Sequence, residues 1–240
     1  MQFPNIKIDT NKLVGFDTET TGVSVVDDRI IQAVLIYNGT DGNQIVKEYF
    51  INPGVPIPEE ASAIHGFSNE FIAEHGKAPK ETLDEIANII VSSQKQGYYL
   101  VIQNASFDLP ILNNELKRYG LPTLGDRLEQ PTVPYLIDPL VIDRKEDKYR
   151  KGKRQLINIA EYYKIEIEGD LHNAVTDVKT MLKVCVAILS KFPKVAKLAG
   201  TDLHKYQTDA FKDWADNFNS YLKKQGKPAD VPTVWVSDLS

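Results

Sequence analysis

A short apolar run and two segments rich in β-branched and aromatic residues follow one another in the first quarter of the chain, and they constrain the fold more than any other feature. They occupy residues 13–17, 29–37 and 45–51, and the turn-forming residues 38–42 separate the second from the third. Short segments of this composition, broken by turn residues, predict sequential strands. The sequence therefore predicts a β-meander at the start of a sheet.

Helical and extended patterns alternate after the proline-rich loop at residues 53–58. Apolar residues recur at helical spacing over 83–91, and a helix is predicted from Ser106 to Gly120. Two further helices are predicted over 156–163 and 175–189, and residues 98–102 and 135–138 have the composition of strands. This order predicts an α/β domain with a mixed sheet flanked by helices in two or three layers.

The segment after residue 195 has a different pattern. Apolar and aromatic residues recur at steps of three and four over 203–222, and Gly226 and Pro228 follow, which predicts one amphipathic helix. Its aromatic stripe is either a packing face or a binding face. We expect residues 1–195 to form the main domain and residues 196–240 to form a helical extension with an extended tail packed on it.

Composition excludes several classes of protein. The 240 residues are 42% hydrophobic and 25% charged, which excludes a collagen-like or intrinsically disordered chain. The single cysteine, Cys185, cannot form an internal disulfide and fits a reducing compartment; its apolar neighbours predict that it is buried. The start has no secretory pattern, and the longest apolar run, 184–189, is too short to cross a membrane. We therefore expect a cytoplasmic protein without a membrane partner.

Charge is distributed unevenly along the chain. The net charge is −5, but residues 144–154 contain seven basic and two acidic side chains, so the rest of the chain carries −10. An acidic body with one basic segment suits an enzyme that gathers carboxylates around a metal and meets a polyanion locally. The basic segment either contacts a phosphate backbone or forms a solvated loop.

Two carboxylates, Asp17 and Glu19, end the first predicted strand. Side chains alternate along a strand, so both project to the same side, about 6.5–7 Å apart at their Cα atoms. Two acids at the end of an apolar strand repel each other and resist burial, and a divalent cation between them removes that cost. The pattern indicates either a metal site or a solvated strand end.

Two later segments carry further candidates. Asp108 follows strand 98–102 at a predicted helix N-terminus, on the sheet edge where α/β folds bind ligands, although a helix dipole alone also stabilises an acid there. His172 and Asp177 are five positions apart, which would place them on different faces of a helix. If both act at one site, His172 must lie in the loop before the helix and Asp177 on its first turns.

The order Asp-x-Glu, Asn-x-x-Phe-Asp and His-x-x-x-x-Asp resembles the three motifs of the DEDDh (DnaQ-like) 3′–5′ exonucleases. Residues 58–66 resemble the turn that follows the third strand in that family. Residues 137–154 and 203–235 resemble actinobacterial or phage homologues of the DNA polymerase III epsilon (proofreading) subunit. One branch of the family has tyrosine four residues before the last Asp; Asn173 stands there, so the chain resembles the histidine branch. The resemblance covers nearly all of residues 10–240 and implies an RNase H-like (DnaQ-like) fold.

The resemblance implies a metal-dependent nuclease with a two-metal-ion mechanism. Asp17, Glu19, Asp108 and Asp177 would be the ligands of two divalent cations, Mg²⁺ or Mn²⁺, which prefer hard oxygen donors. His172 would accept the proton of the attacking water.

The same resemblance implies a set of substrate contacts. Thr20, Ile64, His65, Asn104 and Phe107 would hold the terminal nucleotide. Stacking on Phe107 would tolerate any base, which suits a non-specific exonuclease. The alternatives are a packing role for Phe107 and a structural role in the turn for His65.

The expected activity is hydrolysis of DNA from its single-stranded 3′ end, with release of nucleoside 5′-monophosphates in proofreading or repair. The alternatives are an RNase T-like exonuclease that acts on RNA or on both nucleic acids, and a non-catalytic accessory subunit. The intact set of acids argues against an accessory subunit. The sequence has no clear counterpart of the clamp-binding linker or polymerase-binding tail of enterobacterial epsilon subunits. A DNA polymerase partner is therefore unsupported by a motif, and a stand-alone nuclease is equally expected.

Overall fold

The computed structural model describes residues 3–39, 42–169, 173–236 and 238–240. These residues form five strands and ten helices. The strands are β1 (Leu13–Thr20), β2 (Ile30–Asn38), β3 (Gln44–Phe50), β4 (Tyr99–Val101) and β5 (Leu136–Ile137). The helices are α1 (Glu59–His65), α2 (Asn69–His75), α3 (Pro79–Lys95), α4 (Ala105–Arg118), α5 (Leu124–Leu128), α6 (Pro139–Glu146), α7 (Leu156–Tyr162), α8 (Ala174–Lys191), α9 (Pro193–Ala196) and α10 (Gly200–Lys224).

The strands form one mixed sheet in the order β3-β2-β1-β4-β5. β2 pairs antiparallel with β1 and β3, whereas β4 runs parallel to β1 and β5 runs parallel to β4. Parallel neighbours need long crossover connections, and the helices before β4 and β5 provide them. The predicted meander and the predicted mixed sheet flanked by helices are both confirmed.

Helices cover both faces of the sheet and create two cores. Val14 and Phe16 of β1 point into the first core, which they share with α3, α4, α5 and part of α10. Leu13 points into the second core, which is formed with α6, α7, α8 and α9. Both faces of the central strands are thus covered by apolar packing, whereas the edge strand β3 stays partly exposed. The ends of the strands remain as the places where polar side chains from several elements can meet.

Two short helices occupy the region after β3. Residues 58–66 were expected to form a turn, and this expectation is wrong: α1 follows Pro58 and ends at Gly66, whose φ of 81° is left-handed. Glu59 and Glu60 lie in its first turn, where acids favour a helix. A helix of seven residues is too short to show a convincing apolar repeat in the sequence.

The C-terminal segment packs into the body of the protein. Gln207 on α10 is fully buried; its side-chain amide donates to the Leu136 carbonyl (2.9 Å), and its side-chain oxygen accepts from the Asp138 backbone N–H (2.7 Å). Trp235 in the tail is 1% exposed and donates its indole N–H to Asp138 Oδ2 (3.2 Å). The segment therefore completes the core around β5.

Cys185 is buried on α8, as predicted. Burial raises the pKa of its thiol to about 12, so the sulfur stays protonated and unreactive at neutral pH. In the part of the chain that the structure describes, no helix has the length and apolar character needed to span a membrane.

Candidate active site

A glycine on β1 lets a helix approach the two acids at the end of the strand. A Cβ atom at Gly15 would lie 2.5 Å from Cγ1 of Val178 on α8, closer than real Cβ contacts allow. Because side chains alternate along β1, Gly15 faces the same side as Asp17 and Glu19. The missing side chain therefore lets the first turns of α8 lie against this face and brings Asp177 to the acids. Sequence analysis missed this role, although a glycine inside a strand signals close approach of another segment.

Three carboxylates meet at this point. Each of Asp17, Glu19 and Asp177 offers an oxygen, and these oxygens all lie within 4.8 Å of one another. Burial, followed by the charges of neighbouring carboxylates, raises the pKa of Asp17 well above its usual range and that of Glu19 to about 7. The fold thus concentrates negative charge at the end of β1 rather than dispersing it.

Asp108 is the fourth acid of this region. It lies in the first turn of α4, is 4% exposed, and accepts a hydrogen bond from the Thr18 hydroxyl at 2.7 Å. Its charge is among the causes that raise the pKa of both Asp17 and Glu19, so it lies within electrostatic reach of them. Burial raises the pKa of Asp108 to about 7, and the bond from Thr18 opposes that rise. We name these four residues, Asp17, Glu19, Asp108 and Asp177, the acid cluster.

Asp138 stabilises the start of α4, the helix that carries Asp108 of the acid cluster. Its carboxylate caps α6 by accepting from the Leu140 N–H, and it also accepts from the N–H groups of Asn104 and Ala105 where α4 begins. One buried side chain therefore fixes the start of the helix that carries Asp108. Burial raises the pKa of Asp138, whereas the hydrogen bonds oppose that rise. Sequence analysis missed this role, but an Asp-Pro pair after a strand is a recognised helix start.

A β-bulge positions α1 next to the acid cluster. The register between β1 and β2 shifts between Glu19 and Thr20, which makes Ile31 the extra residue on β2. Bulges often occur beside active sites because they redirect a strand. Ile31 is fully buried and packs in a small core with Ile57 and with Ala61 of α1. The bulge therefore anchors α1 close to the end of β1.

Ile64 and His65 lie at the end of α1 and have opposite exposure. Ile64 is 62% exposed, whereas His65 is 7% exposed and stacks on Phe67 with ring centroids 5.4 Å apart. His65 Nδ1 accepts from the Phe67 N–H (3.1 Å), so the proton of the neutral ring is on Nε2. Burial lowers the pKa of His65, which favours this neutral form. Nε2–H has no hydrogen-bond partner among the described residues.

The other predicted substrate residues lie on two of the same elements. Thr20 ends β1, and its hydroxyl donates to the Gly22 carbonyl at 2.7 Å. Asn104 is exposed at the start of α4 with a φ of 70°, a left-handed conformation that asparagine tolerates better than most residues. Phe107 is half-buried and packs against the first core, so its packing interpretation has structural support. His172 lies outside the described residues.

The acid cluster fits a divalent cation. Its donors are carboxylate oxygens, which suit Mg²⁺ and Mn²⁺, and three of them approach one another as the ligands of one ion must. Partly buried carboxylates that repel one another are costly until a cation neutralises them. The raised pKa values of Asp17, Glu19 and Asp108 report that cost.

Comparison with known proteins shows the family. Residues 14–185 match the exonuclease family named RNase_T, which covers most of the chain. The chain therefore belongs to this exonuclease family, and the resemblance inferred from the three motifs is confirmed.

Several curated proteins are similar in sequence. The chain is 30% identical over 176 residues to exonuclease DPD1 of Arabidopsis thaliana chloroplasts and mitochondria, which covers 70% of this chain and 53% of that protein. It is 31% identical over 170 residues to the DNA polymerase III subunit epsilon of Buchnera aphidicola, and the match covers 67% of this chain and 65% of that protein. An exonuclease of Escherichia phage 186 is 28% identical over 180 residues, and the match covers 72% of this chain and 85% of the phage protein. The chain thus spans about half the length of the plant relative.

Solved structures show the same fold. Escherichia coli Exonuclease I in complex with a dT13 oligonucleotide gives a TM-score of 0.61 at 16% identity, covering 76% of this chain and 42% of that one. Exonuclease I from Methylocaldum szegediense gives a TM-score of 0.62 at 21% identity, and the match covers 87% of this chain and 45% of that one. The expected RNase H-like fold is confirmed.

Proposed function

We propose that this protein is a metal-dependent exonuclease that removes nucleotides from the 3′ end of single-stranded DNA. The observation that carries the proposal is the approach of oxygens from Asp17, Glu19 and Asp177 to within 4.8 Å of one another. The fold keeps this cluster although it is electrostatically unfavourable without a cation. Membership of the exonuclease family supplies the reaction class.

Asp17, Glu19, Asp108 and Asp177 are the proposed ligands of two divalent ions, Mg²⁺ or Mn²⁺. When bound, such ions activate water and neutralise the charge that develops at the phosphate and the leaving 3′ oxygen. The protein's part is to hold the four carboxylates in place before the ions arrive. Thr18 does this for Asp108 through its hydroxyl bond, and the close packing at Gly15 does it for Asp177.

His172 is the proposed general base. It immediately precedes Asn173, whose side chain caps α8 by accepting from the N–H groups of Val175 and Thr176. Asp177 lies in the first turn of the same helix. A histidine with a pKa near neutrality takes a proton from water effectively, and a positioned base of this kind contributes about 10²–10⁴-fold to the rate.

Five side chains are proposed to hold the terminal nucleotide. Ile64 offers an exposed apolar surface to a base or sugar, and the Nε2–H of His65 is a donor that lacks a described partner. Thr20, Asn104 and Phe107 flank the acid cluster on β1 and α4. Ile64 and Phe107 can contact the face of any base, which supports action on any sequence.

DNA is the proposed substrate because the names of similar proteins refer to DNA. The Buchnera aphidicola relative is a DNA polymerase subunit by name, and the Exonuclease I structure contains a deoxyoligonucleotide. A cytoplasmic location is part of the proposal, and the single, buried Cys185 supports a reducing compartment.

The test uses one sequence as single-stranded DNA and as RNA, each labelled at the 5′ end. With Mg²⁺ or Mn²⁺, we expect a denaturing gel to show DNA shortened from its 3′ end in single-nucleotide steps, and chelation should abolish the reaction. Asp17→Asn should lower turnover by about 10³-fold, because it removes charge that holds the ions. Asp209→Asn, which removes the same charge from an exposed position on α10, should leave turnover unchanged.

Each alternative has its own outcome in this experiment. If only the RNA strand is shortened, the substrate is RNA and not DNA, and the proposed metal-dependent 3′ hydrolysis still holds. Intact strands with both metals, from a protein whose Tm does not rise with Mn²⁺, would overturn the proposal, since a ligand that binds the native state raises Tm.

A further inference from the structure

A groove with a volume of about 630 Å³ lies between α10 and the segment formed by the end of α6 and the loop after it. We name it the basic groove, because five of its lining side chains are basic and one, Asp213, is acidic. The basic residues are Arg144, Lys145, Lys148, Arg150 and Arg154. The opposite wall of the groove is aromatic.

The aromatic wall is a row of three nearly parallel rings on α10. The ring centroids of Trp214 and Phe218 are 5.6 Å apart with planes 13° from parallel, and those of Phe218 and Tyr221 are 6.3 Å apart with planes 14° from parallel. Phe218 is 38% exposed and Tyr221 is 55% exposed. Large aromatic rings usually lie inside a protein, so a row of exposed rings marks a surface for an aromatic or apolar ligand.

The rest of the predicted stripe on α10 does pack in the core. Ala210, Phe211 and Ala215 are buried against the first core, and Leu203 is buried in the second. The stripe is therefore divided between residues that pack in the cores and a row whose outer rings, Phe218 and Tyr221, are exposed.

The cations of the basic groove have two different roles. Arg150 and Arg154 both bind the buried carboxylate of Asp143, so they hold the loop in place. Arg144 lies over the Trp214 ring, with its guanidinium carbon 3.8 Å from the centroid. Lys148 is exposed and forms no ion pair with another described residue.

Lys145 is the one groove lysine with an acidic partner. It pairs with Asp213 at 2.9 Å, and both side chains are exposed. An exposed pair of this kind contributes little to stability, so a phosphate can replace Asp213 at small cost. Lys145 and Lys148 are thus available to an anionic ligand.

α6 connects the basic groove to the acid cluster. Its N-cap, Asp138, also holds the start of α4 beside Asp108, and Arg144 lies in its last turn. A helix of eight residues is about 12 Å long. One end of α6 thus lies beside the start of α4 and the other end lines the groove, about 12 Å away along the helix.

We propose that the basic groove binds the part of a single-stranded nucleic acid that lies 5′ of the nucleotide being removed, with bases on Phe218 and Tyr221 and phosphates near Lys145 and Lys148. Cationic grooves with exposed aromatic rings bind single strands without sequence preference, because every base has a face that stacks. The net positive charge of the groove, on a protein that is acidic elsewhere, favours a polyanion over a protein partner. The inference rests on the proposed function for its place in the reaction.

The first test measures affinity against strand length by fluorescence anisotropy, in the presence of a chelator so that no strand is cut. We expect wild-type protein to bind an oligothymidylate of about 20 nucleotides more tightly than one of about 4, because only the longer strand can fill the groove and also contact the surface beyond it. Phe218→Leu and Tyr221→Leu should each weaken binding of the long strand at least about fivefold, since they remove a stacking face. Tyr221→Phe keeps the ring and should bind like the wild type.

The second test measures the salt dependence of binding to the long strand. Lys148→Ala should reduce the slope of log affinity against log salt by about 0.7, the value for one phosphate contact to a single strand. Lys223→Ala removes the same charge from the last turn of α10, outside the groove lining, and should leave the slope unchanged.

The two proposals fail in different ways. Unchanged long-strand affinity in both leucine variants, with native Tm, would overturn the groove proposal even if the wild type shortens DNA. Loss of length-dependent binding in those variants, from a wild-type protein that cuts no nucleic acid and whose Tm does not rise with Mn²⁺, would support the groove and overturn the nuclease proposal. Equal affinity of the wild type for the 4-nucleotide and the 20-nucleotide strand would also overturn the groove proposal, because a strand that continues into the groove gains contacts with length.

Discussion

Asp17 and Asp143 are both aspartates on secondary structure near the sheet, but their surroundings are opposite. The side chain of Asp143 is fully buried, and it binds Arg150 and Arg154 and accepts from the Tyr163 hydroxyl at 3.0 Å. The charges that act most on Asp17 are those of other carboxylates. Asp143 is neutralised by basic side chains of the protein, whereas the charges that act most on Asp17 have the same sign as its own.

The difference separates a structural acid from a candidate ligand-binding acid in this fold. Removing a charge from water is costly in either place, and the protein offsets that cost at Asp143 with two guanidinium groups and a phenol. At the acid cluster this cost is not offset, and burial raises the pKa of Glu19 and Asp108 to about 7. An acid with an uncompensated environment is therefore the better candidate for ligand binding.

The largest expected effect comes from breaking the compensated site. Asp143→Ala leaves Arg150 and Arg154 without their partner in a buried position, and we expect it to lower the free energy of unfolding by about 3–5 kcal/mol. Urea unfolding followed by circular dichroism measures the change. Asp209→Ala, at an exposed position on α10, should change it by less than about 0.5 kcal/mol. Wild-type stability in Asp143→Ala would show that the two arginines do not depend on this carboxylate.

The second prediction concerns the pH dependence of the metal-free protein. Glu19 and Asp108 have folded-state pKa values of about 7, above the ordinary values near 4 that they have when unfolded. Between about pH 4 and 7 the native state therefore binds more protons than the unfolded state, and stability falls as pH rises. We expect this region to contribute a loss of a few kcal/mol, because each unit by which a pKa is raised is worth about 1.4 kcal/mol and solvent screens the partly exposed Glu19. Thermal unfolding in chelator at several pH values measures it.

Two comparisons sharpen this prediction. Asp17→Asn removes one of the repelling charges, so it should make the metal-free protein more stable than the wild type at pH 8 and flatten the profile. Mn²⁺ should restore the stability of the wild type at pH 8, because ionised carboxylates bind it, and should do so much less for Asp17→Asn. A wild-type profile that rises between pH 4 and 7 and is insensitive to Mn²⁺ would mean that the acid cluster is not repulsive in solution.

The smallest expected effect tests how Asp108 is held. Thr18→Val keeps the shape of the side chain but removes the hydroxyl that donates to Asp108 Oδ1, and we expect turnover to fall by about tenfold as the carboxylate loses its orientation. Thr82→Val removes another buried threonine hydroxyl, which bonds the Ala78 carbonyl on α3, and should leave turnover per folded molecule unchanged. Equal turnover in the two variants would show that the bond does not orient Asp108 for catalysis.

Local sequence determined the long elements and the chemical identity of the candidate site. The short apolar run at the start of β1 and the helical spacing over α8 are local patterns, so the sequence shows them directly. The carboxylates themselves were recognised from their order along the chain, and the family match covering residues 14–185 agrees with it. Short helices such as α1 show no recognisable apolar repeat in the sequence, because two turns contain too few apolar positions.

Tertiary structure decided which of these residues meet. Asp17 and Asp177 are 160 positions apart, and they approach because Gly15 lets α8 lie against β1, a contact that no local pattern encodes. Packing also divided the stripe on α10, covering Phe211 and leaving Tyr221 exposed beside the basic groove. A sequence fixes the chemistry of each side chain, but burial and electrostatic environment arise only when distant segments are packed together.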